Sequence, residues 1–137
     1  MSDLERAKGL LRGSLSCAIV RGEQIYTSEK RGVAPLLELL NTGTDVQGFS
    51  AADRIVGKAA ALLYCLLGVK EVYADVMSAL AEEALHSHGI LCECGARVLR
   101  IKNRTGEGLC PMESAVEHID DPLSAMHAIE EKLKQMR

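Results

Sequence analysis

A chain of 137 residues is long enough for one domain with a proper core and too short for two ordinary ones. Apolar residues make up 47% and charged residues 26%, a globular profile, and with no Trp and only 3% aromatics the core has to be aliphatic. A formal charge of -3 and a pI near 5.8 remove the electrostatic case for nucleic acid as a partner, and the shortage of stacking aromatics weakens single-strand binding further.

The opening MSDLERAKGLLRGSLS carries acidic residues early and no long apolar run, so it does not read as a secretory signal. The most apolar stretch, AAALLYCLLGV from Ala59 to Val69, is too short to cross a bilayer. Five Cys is an odd number, scattered rather than framework-spaced. Together these features predict a cytoplasmic protein with reduced thiols and no membrane partner.

In chain order, SDLERAKGLLRG (2–13) reads as a short leading helix ending at a Gly. SCAIV and QIYTS, separated by RGE, predict a β-hairpin turning near Gly22. VAPLLELLNTG (33–43) has apolar residues at helical spacing, with Asn41 and Gly43 as stop signals. Ser50 with Asp53 three positions later resembles a capping box, so a helix is expected over 51–67, apolar nearly all round and ended by Gly68. A strand around Val69 to Ala74 follows, then a helix over 78–89 closed by Gly89. ILCEC and RVLRI are strand candidates, KNRTGEGL a loop, and PMESAVEHI the start of another helix. DPLSAMHAIEEKLKQM closes the chain as an amphipathic helix capped by Asp121, with Pro122 at its first position. Strands alternating with helices predict one α/β layered domain, 1–137, around a mixed sheet whose hairpin is antiparallel. The chain shows no repeat, low-complexity segment or domain boundary.

GVAPLLELL, DRIVGKAAA, HGI and KNRTGEGLCPMES, spread over most of the chain from about Leu15 to His118, together resemble the family called domain of unknown function 1893. CPMES after an N-R-x-G loop is the most specific part. The resemblance implies a three-layer α/β/α fold like that of cytidine deaminases, with an N-terminal β-hairpin, and brings no activity with it. Zinc deaminases place His-x-Glu at the start of the helix after the hairpin and Pro-Cys-x-x-Cys at the start of the helix after the next strand. The corresponding stretches here, DRIVGKAAA and DVMSALAEE, offer neither the His and Glu nor the Cys pair. Zinc deamination is therefore not expected, and no metal or cofactor is predicted.

Cys110 stands before Pro111, which places it at a helix N-cap facing unpaired N–H groups that favour a thiolate. The competing reading is a plain cap, with Glu113 completing a box. Lys58 is a lone charge in the apolar run. With Arg54 and Cys65 it would form one helical stripe that meets an anion, or simply faces solvent. Gly57 would cost about 1 kcal/mol inside a helix, so close packing or a close ligand is expected there. Asp53 reads as a cap partner or a ligand contact, and Asn103 and Arg104 border a Gly loop that could touch phosphate or remain a solvated turn. HSHGILCECG (86–95) looks like a metal site, but His86 and His88 diverge by about 200° on a helix and Cys-x-Cys is not a zinc-knuckle spacing. A helix–turn–strand junction is the better reading.

Two functions fit. One is a small-molecule-binding protein or enzyme, with Cys110 and Lys58 as reactive groups and Asp53, Gly57, Asn103, Arg104 and Glu113 around an anionic, nucleotide-like ligand. The other is a thiol-based redox or regulatory protein using Cys110 or the Cys92/Cys94 pair. A protein-interaction module is a third, plainer reading, made weaker by the few aromatics. A homo-oligomer is compatible with all three.

Overall fold

A computed structural model describes residues 1–103, 105–106 and 108–136. Helix α1 (Asp3–Leu10) starts at a true capping box, in which the Ser2 hydroxyl accepts from the Glu5 amide and the Glu5 carboxylate accepts from the Ser2 amide. Strands β1 (Cys17–Arg21) and β2 (Gln24–Ser28) form the expected hairpin, turning at Gly22 with φ of 60°. Helix α2 (Ala34–Asn41) follows where the apolar spacing put it.

The next element differs from expectation. Ser50–Val56 is a strand, β3, and not the first turns of a helix. It is the middle of the sheet, antiparallel to β1 on one side and parallel to β4 (Glu71–Ser78) on the other. Ser50, Ala51, Ala52 and Asp53 are all buried, so the strand shows none of the polar–apolar alternation that betrays a half-exposed strand. Pairing on both edges outweighs the helix preference of its alanines. Neither member of the expected capping box caps anything. Ser50 Oγ donates to Glu71 at 2.6 Å, and Asp53 turns its carboxylate toward α3.

Helix α3 is therefore shorter, Lys58–Leu67, with Gly57 as its N-cap and Gly68, at φ of 76°, ending it. It is buried nearly all round, as its composition predicts. Helix α4 (Ala79–Ser87) is capped by Ser78. The two strand candidates that follow are largely one strand, β5 (Leu91–Val98), parallel to β4. Helix α5 (Pro111–Ala115) is a single short turn and a half, and α6 (Pro122–Gln135) is capped by Asp121, whose carboxylate accepts from Ser124 at 2.8 Å.

The sheet order is β2-β1-β3-β4-β5, mixed, with the antiparallel hairpin at one edge. Alternation in β1 sends Ala18 and Val20 to a small core with Ala7 of α1 and Leu11 just after it. Cys17 and Ile19 point the other way, into the main core with α2, α3, α4 and α6. There Leu36, Leu62, Leu63 and Leu85 are fully buried, each stabilising by about 2 kcal/mol. α3 thus forms the floor of the larger layer, and its first turn comes up at the carboxyl end of β3.

Candidate functional site

At that junction lies a cavity of about 350 Å³. β3 contributes Asp53, Arg54 and Ile55, the start of α3 contributes Ala59 and Ala60, and Gly57 lies between. Cys110, Met112 and Glu113 close it from the start of α5, and Arg31 to Val33 from the loop before α2. Four residues singled out in the sequence, Asp53, Gly57, Cys110 and Glu113, therefore share one wall system. The crevice beyond the carboxyl end of a sheet's strands is where open α/β folds place ligands.

Glu113 determines how this corner is built. Its carboxylate accepts from the amide of Lys58 at 2.7 Å and from that of Ala59 at 2.8 Å. The side chain occupies the first turn of α3, where unpaired N–H groups and the helix dipole favour negative charge. Gly57 is required by this contact. A Cβ at position 57 would stand 2.3 Å from Glu113 Oε1. The expected box at α5's own start is thus replaced by a clamp between α5 and α3. Cys110 is the N-cap of α5, as Pro111 suggests, but its side chain makes no capping bond, and its amide donates to Ile101 O at 3.1 Å.

Asp53 forms a second polar knot. Tyr64 Oη donates to its Oδ2 at 2.7 Å and the Arg54 amide to its Oδ1 at 2.7 Å. Burial raises the Asp53 carboxyl to about 6, against the lowering effect of these bonds. Cys17 Sγ lies 3.5 Å from Tyr64 Oη. Burial and the nearby Asp53 charge push the Cys17 thiol to about 12 and the Tyr64 phenol well above its ordinary value. Of the three, Asp53 is the group that titrates near neutrality.

Lys58 contributes its backbone to the clamp but not its ammonium to the cavity. Nζ is 3.0 Å from Asp120 Oδ1 and donates to Glu117 O at 3.3 Å, in the link between α5 and α6. The stripe with Arg54 and Cys65 does not form, because Arg54 is on β3. Its guanidinium donates to Leu15 O at 3.0 Å and to Asp75 Oδ2 at 3.3 Å. Asn103 does not line the cavity, its Oδ1 accepting from Thr105 at 2.9 Å, and Arg104 lies outside the described residues. Arg31 and Tyr64 carry no motif that would have marked them in the sequence.

HSHGILCECG is the junction expected of it, with α4 ending at Ser87 and Gly89 at φ of 74°. His88 Nδ1 turns back to Ala84 O at 3.0 Å, while His86 Nε2 reaches across the turn to 3.3 Å from Cys92 Sγ. Burial first, then Glu82 and Cys94, raise the Cys92 thiol. Among the described residues no three His, Cys, Asp or Glu side chains are grouped so as to hold a metal ion, and no helix is long and apolar enough to cross a membrane.

The structure thus defines a mixed α/β domain with an internally clamped cavity at the carboxyl end of its central strand. The chain belongs to the family described as domain of unknown function 1893, whose model matches residues 6–133. Its fold is similar to the crystal structure of a DUF1893 family protein (TM1506) from Thermotoga maritima, with a TM-score of 0.82 and 26% identity over 98% of this chain and 91% of that one. No curated protein matches the sequence.

Proposed function

We propose that this protein binds a small molecule in the cavity between β3, α3 and α5, with an apolar, nucleoside-like body inside and an anionic end at Arg31. The observation that carries the reading is the cavity, about 350 Å³, large enough for a compact ligand and walled by Ala59, Ala60, Ile55 and Met112. Arg31 is exposed on its lining, and among the described residues it has no ion-pair partner. The start of α3, a natural place for a phosphate, is filled by Glu113, so the free cation is the better anchor. The deaminase-like three-layer reading is supported by α1 on one sheet face and the remaining helices on the other. In that fold the helix starts that would present zinc ligands carry Gly57-Lys58-Ala59 and Ser78-Ala79-Leu80 here, which offer no His or Cys.

A thermal-shift panel of nucleosides and their mono-, di- and triphosphates tests this reading. At least one phosphate ester should raise the midpoint, Ala60→Leu should abolish the shift by filling the cavity, and Arg31→Ala should weaken it for phosphates more than for the nucleoside. No shift with any member, or shifts that survive Ala60→Leu, would overturn it.

The same cavity wall supports the second reading, in which the Cys110 thiol reacts with what enters. Its check is the pH dependence of alkylation by iodoacetamide in a protein retaining only Cys110. A midpoint clearly below about 8.5, the value of a free cysteine, supports a reactive role, and one at or above it removes that role.

A further inference from the structure

Strand β5 is an open edge of the sheet, paired to β4 on one side only. It is eight residues long, LCECGARV, and carries neither Pro nor Lys, its charges being Glu93 and Arg97. At its start the Leu91 amide donates to Lys70 O, at the base of β4. Main-chain groups alternate along a strand in a parallel ladder, so those of Cys92, Cys94, Ala96 and Val98 point outward and await partners.

The side chains follow a self-complementary pattern about Gly95. In an antiparallel pairing of two copies with Gly95 on the two-fold axis, Glu93 falls opposite the partner's Arg97. Cys94 falls opposite the partner's Ala96, and Leu91 lies at the level of the partner's Leu99, the residue just past the end of the strand. Glu93 and Arg97 are 53% and 60% exposed at their side chains, and Leu91 and Leu99 are 70% and 76% exposed. Leu91 and Leu99 are also the two most exposed large apolar residues apart from the terminal Met1. The odd-numbered positions are the close, non-hydrogen-bonded pairs of this register, where cross-strand charges and leucines meet best. Glycine at the axis lets the two backbones approach without a side chain between them.

The geometry points to a two-fold homodimer built by antiparallel pairing of β5 with β5 of a second copy. The interface joins two five-stranded sheets into one of ten strands and closes on itself, as an isologous contact does. Four outward residues per copy give about eight main-chain hydrogen bonds. The charges extend into a network, because Glu93 already meets Lys8 at 2.6 Å and Arg97 lies 3.5 Å from Glu82. Other registers lack this match. A shift by two residues sets Glu93 against Gly95 or Leu99, and leaves Arg97 without a carboxylate opposite.

Sedimentation equilibrium on the full chain tests the interface. The wild type should give a concentration-dependent mass approaching twice 14.8 kDa. Ala96→Pro removes an outward amide that β4 does not use, so it should keep the far-UV spectrum and thermal midpoint while remaining monomeric. Glu93→Arg and Arg97→Glu should each weaken association by about tenfold, and the double variant should recover it. Ala96→Cys places a thiol opposite the partner's Cys94 and should give a disulfide-linked dimer when oxidised with diamide, independently of whether the proline variant folds. A wild type still monomeric at roughly 1 mM, where an association worth only about 4 kcal/mol would already be evident, overturns the inference. So does a dimer indifferent to Ala96→Pro, a charge pair without mutual rescue, or an Ala96→Cys protein that stays monomeric on a non-reducing gel.

Discussion

Helices α3 and α5 both begin on the wall of the same cavity, yet they meet their first turns in opposite ways. α3 has ten residues, and its leading amides are satisfied by the Glu113 carboxylate. α5 has five residues, begins with a proline that has no amide hydrogen, and carries Cys110 at a cap that its thiol does not close. The longer helix holds the stronger field and the protein spends it internally. The shorter one leaves its cap to the cavity. A helix start therefore becomes a ligand site only when the chain does not provide its own anion, and here the chain provides one for α3 alone.

This difference can be broken from the α3 side first. Gly57→Ala should drive the Glu113 carboxylate out and cost about 4 kcal/mol in urea unfolding, the worth of two charge-assisted hydrogen bonds. Combined with Glu113→Ala the two losses should be far from additive, because they remove the same contact. A Gly57→Ala cost below about 1 kcal/mol would show that the clamp contributes little.

The second carboxylate of the cavity gives a pH signature of similar size. Asp53 is raised from 3.8 to about 6 in the folded protein. A raised group stabilises fully below its unfolded value and loses that contribution as pH rises through its folded value. Unfolding free energy should therefore fall by about 2 kcal/mol on this account between pH 4 and pH 7, the rest of the contribution being lost below pH 4. Asp53→Asn should flatten that part of the profile, and denaturant titrations at four pH values in this range would check it.

Glu113→Gln keeps the shape but turns an NH2 group toward an amide donor, so a smaller loss of about 1.5 kcal/mol is expected by the same unfolding measurement. Cys110→Ser should move stability by less than about 0.5 kcal/mol, since no bond depends on the thiol. A larger loss would make Cys110 a structural residue and end the comparison in favour of the plain cap.

Much of the frame was legible because local chemistry decides it. Gly22 turns the hairpin, Gly68 and Gly89 stop helices, and Asp121-Pro122 starts the last one. β3 was not legible. A central strand buried on both faces gives no two-residue period, and the Ser50–Asp53 spacing imitates a cap that the fold does not use. Gly57 was the true boundary signal, read as an anomaly inside a helix when it marks the start of one. The site was half legible on the same grounds. Cys110 before Pro111 is a local signal, whereas the partner of Glu113 is 55 residues away in the chain. Nothing local could also tell that Lys58 would send its ammonium to Asp120, or that Tyr64 would hold Asp53.

The Glu113 clamp also furnishes the protein with a gauge. The amides of Lys58 and Ala59 are held from solvent by one carboxylate, so their deuterium uptake reports whether α5 is seated. A ligand that settles into the cavity beside an intact clamp should slow their exchange. One whose anionic group displaces Glu113 should keep these two amides protected while the amides of α5 exchange faster. Read residue by residue, exchange would tell an occupant that fits the corner from one that replaces it.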